Sequence, residues 1–318
     1  QGEGQLPIPD ETFTVAELFK SAGYKTACVG KCGLGFVGSS GDPNKQGFDL
    51  FFGYNCQRQA HSYYPDHLWR NDKRVELDGK TYSHDLMTKE ALAWLAENDK
   101  DPFFLYVPYT APHENVAVPE LEPYVKDTGW TDHQKTYASL VSRMDRDVGA
   151  IMARLEADGV ADNTVLIFTS DNGADNKDYK FFKCNGKLRD TKRSMYEGGI
   201  RCPMVVRWPK TIKPGTTCDT PVAFWDFLPT CAELTGAKIP DGLKLDGISW
   251  TGIFAGEKAP ERKYLYWELH EGKFIQALRK GDWKIVRPGP NTGLELYNIA
   301  EDPEEKNNLA SKKPSKVQ

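Results

Sequence analysis

The chain has 318 residues, a formal net charge of −4, 39% hydrophobic residues and 27% charged residues. These values are typical of a globular protein that can bury one large core. The negative charge argues against a nucleic-acid partner, which requires an excess of basic residues, and no apolar run reaches the roughly eighteen residues of a membrane span.

The first part of the chain alternates helix and strand patterns. A short helix is predicted over 14–23, with Thr14 as its N-cap, and a strand over 25–30 follows it. Apolar residues at helical spacing predict a second helix over 83–99, and the apolar run at 103–109 predicts the next buried strand.

The middle of the chain continues this alternation. The longest apolar stripe predicts a helix over 134–158, and strands are predicted at 164–170 and 203–209. The run of four apolar residues at 165–168 is typical of a central parallel strand that is covered on both faces. The pattern therefore predicts an α/β domain over 1–255, with a mostly parallel central sheet and helices on both faces.

The last part of the chain has a different pattern. After about residue 255, aromatic and polar residues alternate at strand period between turn-like glycines. Residues 256–318 are therefore predicted to form a small C-terminal subdomain, an antiparallel sheet followed by a short helix.

Polar side chains stand at the ends of several predicted strands, where parallel sheets bind their ligands. Asp171 and Asn172 directly follow one strand, and their oxygens suit Ca²⁺ or Mg²⁺ better than zinc. Lys31 and His113 follow two other strands, and Lys192 lies in a basic stretch before the last one. Ammonium and imidazole groups suit an anion with several oxygens, so the set predicts sulfate or phosphate ester chemistry.

Each of these signals is weak by itself. Asp-Asn-Gly is a common turn sequence, and a basic run is usually an exposed face. Their joint occurrence at successive strand ends favours a site.

The motifs also resemble those of a known family. In order they are GYKTACVGKCGLG, PFFLYVPYTAPH, LIFTSDNG, LRDTKRSMYEGGIRCPMVVRWP, DFLPTCAELTG and ELYNIAEDPEEKNNLA. This series resembles the sulfatase family of the alkaline phosphatase superfamily over nearly the whole chain. The resemblance implies an alkaline phosphatase-like fold and hydrolysis of a sulfate ester at a Ca²⁺ site, with a formylglycine nucleophile made from cysteine or serine. It also implies a periplasmic or secreted protein.

The resemblance assigns roles to five residues. Asp171 and Asn172 match two of the metal ligands. Lys31 matches the lysine that bridges the nucleophile and the sulfate, His113 the sulfate-binding proton donor, and Lys192 the second sulfate-binding lysine.

The remaining residues are expected to support the loop or to take the place of a family residue that this chain lacks. Glu197 and Arg201 match scaffolding residues of the basic loop. GKCGLG departs from the family's GKWHLG, because Gly33 stands where a histidine supports the nucleophile. His61 is expected to support the nucleophile in place of that histidine. His61 and Arg189 are also expected to bind the substrate.

Two parts of the family's site are not found in these residues. No cysteine or serine begins the pattern C/S-x-P-x-R, and the first Asp-Asp ligand pair is missing. Both are expected upstream of residue 1, since the chain opens without an initiator methionine. The 318 residues alone are then expected to be inactive and to bind Ca²⁺ poorly.

The substrate class and the rival functions follow from other residues. Residues 54–72 mix aromatic and polar side chains, which favours a sulfated carbohydrate over a small aryl sulfate. One alternative is a metal-dependent phosphatase or phosphodiesterase of the same superfamily with two zinc ions. Another is a catalytically inactive sulfatase fold that binds glycans. A third is an activated thiol at Cys32, beside Lys31.

Overall fold

The computed structural model describes residues 3, 5–113, 115–126, 129–174 and 179–317. Its helices are α1 (Val15–Ser21), α2 (Ser83–Glu97), α3 (Asp132–Ala157), α4 (Tyr179–Phe182), α5 (Glu197–Ile200), α6 (Phe227–Thr235), α7 (Thr251–Phe254) and α8 (Pro314–Val317). Its strands are β1 (Lys25–Lys31), β2 (Leu50–Tyr54), β3 (His67–Arg70), β4 (Lys73–Glu76), β5 (Phe103–Tyr106), β6 (Leu166–Thr169), β7 (Met204–Arg207), β8 (Leu265–Leu269), β9 (Ile275–Lys280), β10 (Trp283–Arg287) and β11 (Glu295–Asn298). None of the helices in these ranges is long and apolar enough to cross a membrane.

The chain folds into two compact units. The first contains Gln1–Thr164 and Trp208–Ala259, and the second contains Val165–Arg207 and Pro260–Gln318. The contacts thus group β6, β7 and the basic stretch with the C-terminal sheet, while the predicted domain boundary at residue 255 stays a prediction.

The first unit contains a five-stranded sheet in the order β4-β3-β2-β1-β5. β1 is parallel to β2 and β5, whereas β3 and β4 run antiparallel. Alternate side chains of the parallel strands face different helices. Val29 and Phe52 pack with Met87 of α2, and Cys28 packs in a second cluster with Ala16 of α1. Helices therefore cover both faces of the sheet, and the predicted α/β class is confirmed, with a sheet that is mixed.

The helix starts follow from capping residues. Thr14 and Glu17 form a reciprocal capping box at α1, and Thr131 and Gln134 form another at α3. α3 packs on α2, and the buried pair His84 Nε2 and Asp147 Oδ2, 3.0 Å apart, joins the two helices.

The second unit contains two separate sheets. The C-terminal strands form an antiparallel sheet in the order β11-β10-β9-β8, and α8 follows them, as the sequence predicted. β6 pairs antiparallel with β7 in a two-stranded sheet, and its four residues are only half-buried. The prediction of a central parallel strand at 165–168 is therefore wrong. An apolar run indicates a strand but specifies neither its neighbour nor its direction.

Candidate active site

Lys31 ends β1 at the edge of the sheet where the parallel strands have their carboxyl ends. Its backbone N–H donates to Pro108 O over 2.9 Å. The preceding Gly30 has φ +147°, and a Cβ there would lie 2.3 Å from Pro108 O. Because the two backbones touch, only glycine fits before Lys31. This contact fixes the end of β1 against the segment that leads from β5 to His113.

His113 lies in the loop after β5, at the same edge of the sheet as Lys31. Its backbone N–H donates to Thr110 O over 2.9 Å, and its ring stacks on the ring of His61 with centroids 4.7 Å apart and planes 20° apart. His61 ends a short 3₁₀ turn whose neighbour Ala60 is fully buried, so the core fixes the position of the turn. The structure therefore brings these two predicted residues together.

Asp171 and Asn172 follow β6 and open a tight loop. Asp171 is exposed and Asn172 is half-buried. The loop is closed by short bonds, because Ser170 Oγ donates to Asn172 O over 3.1 Å and Asn172 Nδ2 donates to Gly173 O over 3.2 Å. Their oxygens are hard donors that fit Ca²⁺ or Mg²⁺.

Gly173 explains why the Asp-Asn-Gly sequence is more than a turn here. Its N–H donates to Gly199 O over 2.9 Å, and a Cβ on it would lie 1.8 Å from Gly198 O. The loop after β6 therefore packs backbone to backbone against the Glu-Gly-Gly segment, an approach that a side chain would prevent.

Lys192 belongs to the same contact. Its N–H donates to Ala174 O over 2.9 Å, two residues after Asn172. Within the second unit, the structure thus joins the backbone of Lys192 to the loop that carries Asp171 and Asn172. Their roles as metal ligands and sulfate-binding lysine stay predictions.

Cys202 is a neighbour of Asp171 that the sequence did not reveal. Burial and the negative charge of Asp171 raise the pKa of the Cys202 thiol to about 11. Its position just before β7 carried no signal, since a cysteine before a strand is unremarkable.

A complete metal site would need more ligands than Asp171 and Asn172. Ca²⁺ takes about six to eight oxygens. Within the described ranges, no group of three or more His, Cys, Asp or Glu side chains could hold a metal ion. These two residues therefore fit a cation as part of a ligand set.

A buried ionic triad holds the Glu-Gly-Gly segment. Lys284 of β10 is fully buried and lies 2.9 Å from both Glu197 Oε1 and Glu305 Oε1. The Glu197 N–H donates to Glu305 Oε2 over 2.6 Å, and burial raises the pKa of Glu305. These contacts support the predicted scaffolding role of Glu197, whereas sequence reasoning missed Lys284 and Glu305.

Arg189 has structural partners. Its guanidinium lies 3.6 Å from the ring centroid of Tyr196 and donates to Tyr297 Oη over 3.0 Å and to Glu305 O over 2.9 Å. These contacts anchor the start of the basic stretch on the C-terminal sheet. Substrate binding by Arg189 stays a prediction.

Cys32 packs against the cluster that contains Cys28 and Ala16. A hydrogen bond with the Cys28 thiol lowers the pKa of Cys32 and raises that of Cys28. The main cause of the lowered pKa of Cys32 is thus a second thiol, and core packing explains why Cys32 lies there.

Two family models match the chain. The model described as Sulfatase matches residues 4–237, and the model described as N-sulphoglucosamine sulphohydrolase, C-terminal, matches residues 188–318. The first covers more than half of the chain.

Individual proteins are similar along nearly the whole chain. The uncharacterized sulfatase YdeN of Escherichia coli K12 is 30% identical over 380 residues, which cover 99% of this chain and 66% of the relative. The crystal structure of Ps i-CgsB has a TM-score of 0.85 at 28% identity and covers 98% of this chain and 73% of its own. Ps i-CgsB in complex with k-i-k-neocarrahexaose has a TM-score of 0.81 at 29% identity, with the same coverage. The chain spans 55% to 66% of the length of three curated relatives.

Proposed function

This chain belongs to the sulfatase family, and on that premise we propose that the full-length protein hydrolyses a sulfate ester of a carbohydrate. The observation that carries the proposal is the bond from Lys192 N–H to Ala174 O. This backbone bond joins the segment of Lys192, whose ammonium has the chemistry to bind an anion, to the loop that carries the hard oxygen donors Asp171 and Asn172. A lysine and a pair of hard oxygen donors on two joined segments suit the hydrolysis of an ester with several anionic oxygens.

Three side chains of this chain act on the sulfate group. The ammonium groups of Lys31 and Lys192 hydrogen-bond sulfate oxygens and neutralise the charge that grows on them in the transition state. The imidazole of His113 binds a sulfate oxygen and gives its proton to the oxygen of the departing sugar. His61 stacks on this ring and limits its rotation.

The reaction also needs a metal ion and a nucleophile, which these three side chains do not supply. Asp171 and Asn172 hold Ca²⁺, or Mg²⁺, together with ligands from outside the 318 residues, and the ion when bound polarises the sulfate group as a Lewis acid. The nucleophile is a formylglycine, formed from cysteine or serine in polypeptide upstream of residue 1. The 318 residues alone are then inactive and bind Ca²⁺ weakly.

A sulfated carbohydrate is the substrate class that the observations favour. Residues 54–72 supply aromatic and polar side chains near His61, and a similar protein of 29% identity was crystallised with k-i-k-neocarrahexaose. The family resemblance favours a protein that acts in the periplasm or outside the cell.

The test is sulfate release by the full-length protein from sulfated oligosaccharides, measured by ion chromatography with Ca²⁺ and with a chelator. We expect release that the chelator abolishes and that added Ca²⁺ restores. Cleavage of phosphate esters by a protein with two zinc ions would instead identify a phosphatase or phosphodiesterase. Binding of the oligosaccharide without release would identify an inactive glycan-binding protein.

A further inference from the structure

Arg193 follows the candidate sulfate-binding Lys192 in an unusual backbone conformation. Its φ is +69°, in the left-handed region that residues other than glycine rarely adopt, and Asp190 nearby has φ +67°. Such strain costs free energy and persists where the surrounding structure imposes it, often at ligand-binding segments. The two strained residues flank Lys192 on both sides.

The neighbouring residues fix this conformation. From Met195 the chain is buried, and Met195 and Tyr196 pack on the C-terminal sheet with Ile275 and Leu269. The β8–β9 hairpin therefore ends beside Lys192 and Arg193. Its turn, residues 270–274, is mostly exposed.

The turn supplies one carboxylate to this pair of cations. Glu271 Oε2 lies 2.9 Å from Arg193 Nε, and the two side chains are 58% and 52% exposed. The hydrogen bond from Arg193, and the charge of Lys192 after it, lower the pKa of Glu271. Glu271 is thus a counter-charge to both cations.

An ion pair this exposed is easily exchanged. Water screens it, and its net contribution to stability is small. A guanidinium binds any carboxylate or sulfate with parallel hydrogen bonds. A second anionic group that arrives with a bound substrate can therefore replace Glu271 at little cost.

We propose that Arg193 binds a second anionic group of the sugar substrate, a carboxylate or a further sulfate, after releasing Glu271. This rests on the proposed sulfatase function and makes Arg193 a specificity residue for sugars with at least two anionic groups. Lys192 binds the sulfate that is cleaved, and Arg193 binds the second anionic group beside it.

The experiment compares Arg193→Gln and Glu271→Gln with the unchanged full-length protein on four substrates. Two carry one anionic group, 4-nitrophenyl sulfate and galactose 6-sulfate. Two carry a second one, N-sulfoglucosamine 6-sulfate with a second sulfate and glucuronic acid 2-sulfate with a carboxylate. Arg74→Gln, which breaks the similarly exposed pair with Glu76, is the matched control.

Arg193→Gln is expected to lower kcat/KM on at least one doubly anionic substrate on the order of tenfold, mainly through KM. It should change the singly anionic substrates less than about twofold, as Arg74→Gln should on all four. Glu271→Gln should lower KM for the doubly anionic substrate that responds. Which of the two substrates responds identifies a carboxylate or a sulfate as the second group.

Equal ratios on all four substrates would overturn the role of Arg193, and so would cleavage of singly anionic substrates alone. If no substrate releases sulfate, the proposed function fails. The role of Arg193 is then decided by calorimetry with the two doubly anionic sugars. Tighter binding of either sugar by the unchanged protein than by Arg193→Gln supports it, and equal or absent binding overturns it.

Discussion

His113 and Glu197 belong to the same family pattern but have different surroundings. The His113 ring lies against His61 in a loop, whereas Glu197 is 2% exposed and bound to Lys284. The first contact orients the imidazole, and its part in proton transfer stays a prediction. The second makes Glu197 part of the folded core.

Substitution should separate these two roles. In the full-length protein, His113→Ala is expected to lower kcat about 10²- to 10⁴-fold, because a proton donor is lost, with little change in Tm. Glu197→Ala should mainly lower Tm, because Lys284 loses a buried partner. Steady-state kinetics and thermal unfolding measure both, and equal losses of Tm in the two variants would contradict this division.

Sequence reasoning identified some of the candidate residues and their supports and not others, for a physical reason. Asp171, Asn172 and Lys192 were predictable as candidates, because chemistry at strand ends and a family motif marked them, and their roles stay predictions. Lys284 and Glu305 were not, because a lysine in an alternating strand normally points to solvent. Only the register shows that Lys284 shares the buried face with Val286.

At the scale of elements, helices were easier to predict than sheets. α1, α2 and α3 carry helical periodicity, and two of them carry capping boxes. β2, β3 and β4 were not predicted. β3 lies within residues 54–72, which were interpreted as a sugar-binding stretch. The predicted direction of β6 was wrong, because residues distant in the chain decide how a strand pairs.

The triad around Lys284 should dominate the stability of the C-terminal sheet. Lys284→Met removes the cation that Glu197 and Glu305 share and leaves Glu197 only the longer contact with Arg279 Nη1, at 3.5 Å. We expect a loss of about 3–5 kcal/mol in the free energy of unfolding. Lys280→Met, at the exposed end of β9, is the control and should change it by less than about 0.5 kcal/mol. Urea unfolding measures the free energy of unfolding of both variants, and equal midpoints would contradict the role of the triad.

The contact between α2 and α3 should depend on pH. Burial raises the pKa of Asp147, but the contact with His84 Nε2 and hydrogen bonds from Arg146 and Thr88 outweigh it and hold the pKa below its usual value of 3.8. Since the folded-state pKa is lowered, this contribution to stability is present above the unfolded pKa and is lost as the pH falls through the folded pKa.

Asp147→Asn should therefore flatten the loss of stability at acid pH. Urea midpoints measured from pH 6 to pH 3 should fall less steeply in Asp147→Asn than in the unchanged chain. The matched control is Asp241→Asn, at an exposed turn. Parallel curves for Asp147→Asn and the unchanged chain would show that the contacts of the Asp147 carboxylate contribute nothing to the pH dependence of stability.

At the scale of the molecule, each unit leaves apolar strand surface uncovered. In the described part of the first unit, β5 pairs with β1 alone, and Tyr106 is 49% exposed. In the second, Val205 of β7 is 62% exposed. Exposed strands of this kind template self-association.

The 318-residue chain is therefore expected to self-associate with rising concentration. Tyr106→Lys and Val205→Lys should reduce this, because a charge on an exposed strand opposes pairing with another chain. Val125→Lys, at a similarly exposed valine outside the strands, should not. Light scattering over a concentration series measures the effect, and a monodisperse unchanged chain at every concentration would contradict it.

Sulfate release by the full-length protein tests most directly whether His113 and Lys192 act on one sulfate group. His113→Ala and Lys192→Ala are each expected to lower kcat at least about 100-fold. Because residues that act as a unit give non-additive losses, the double variant should fall no more than about tenfold below the weaker single variant. An unchanged protein that releases no sulfate, or two losses that multiply in full, would contradict the proposed sulfatase site.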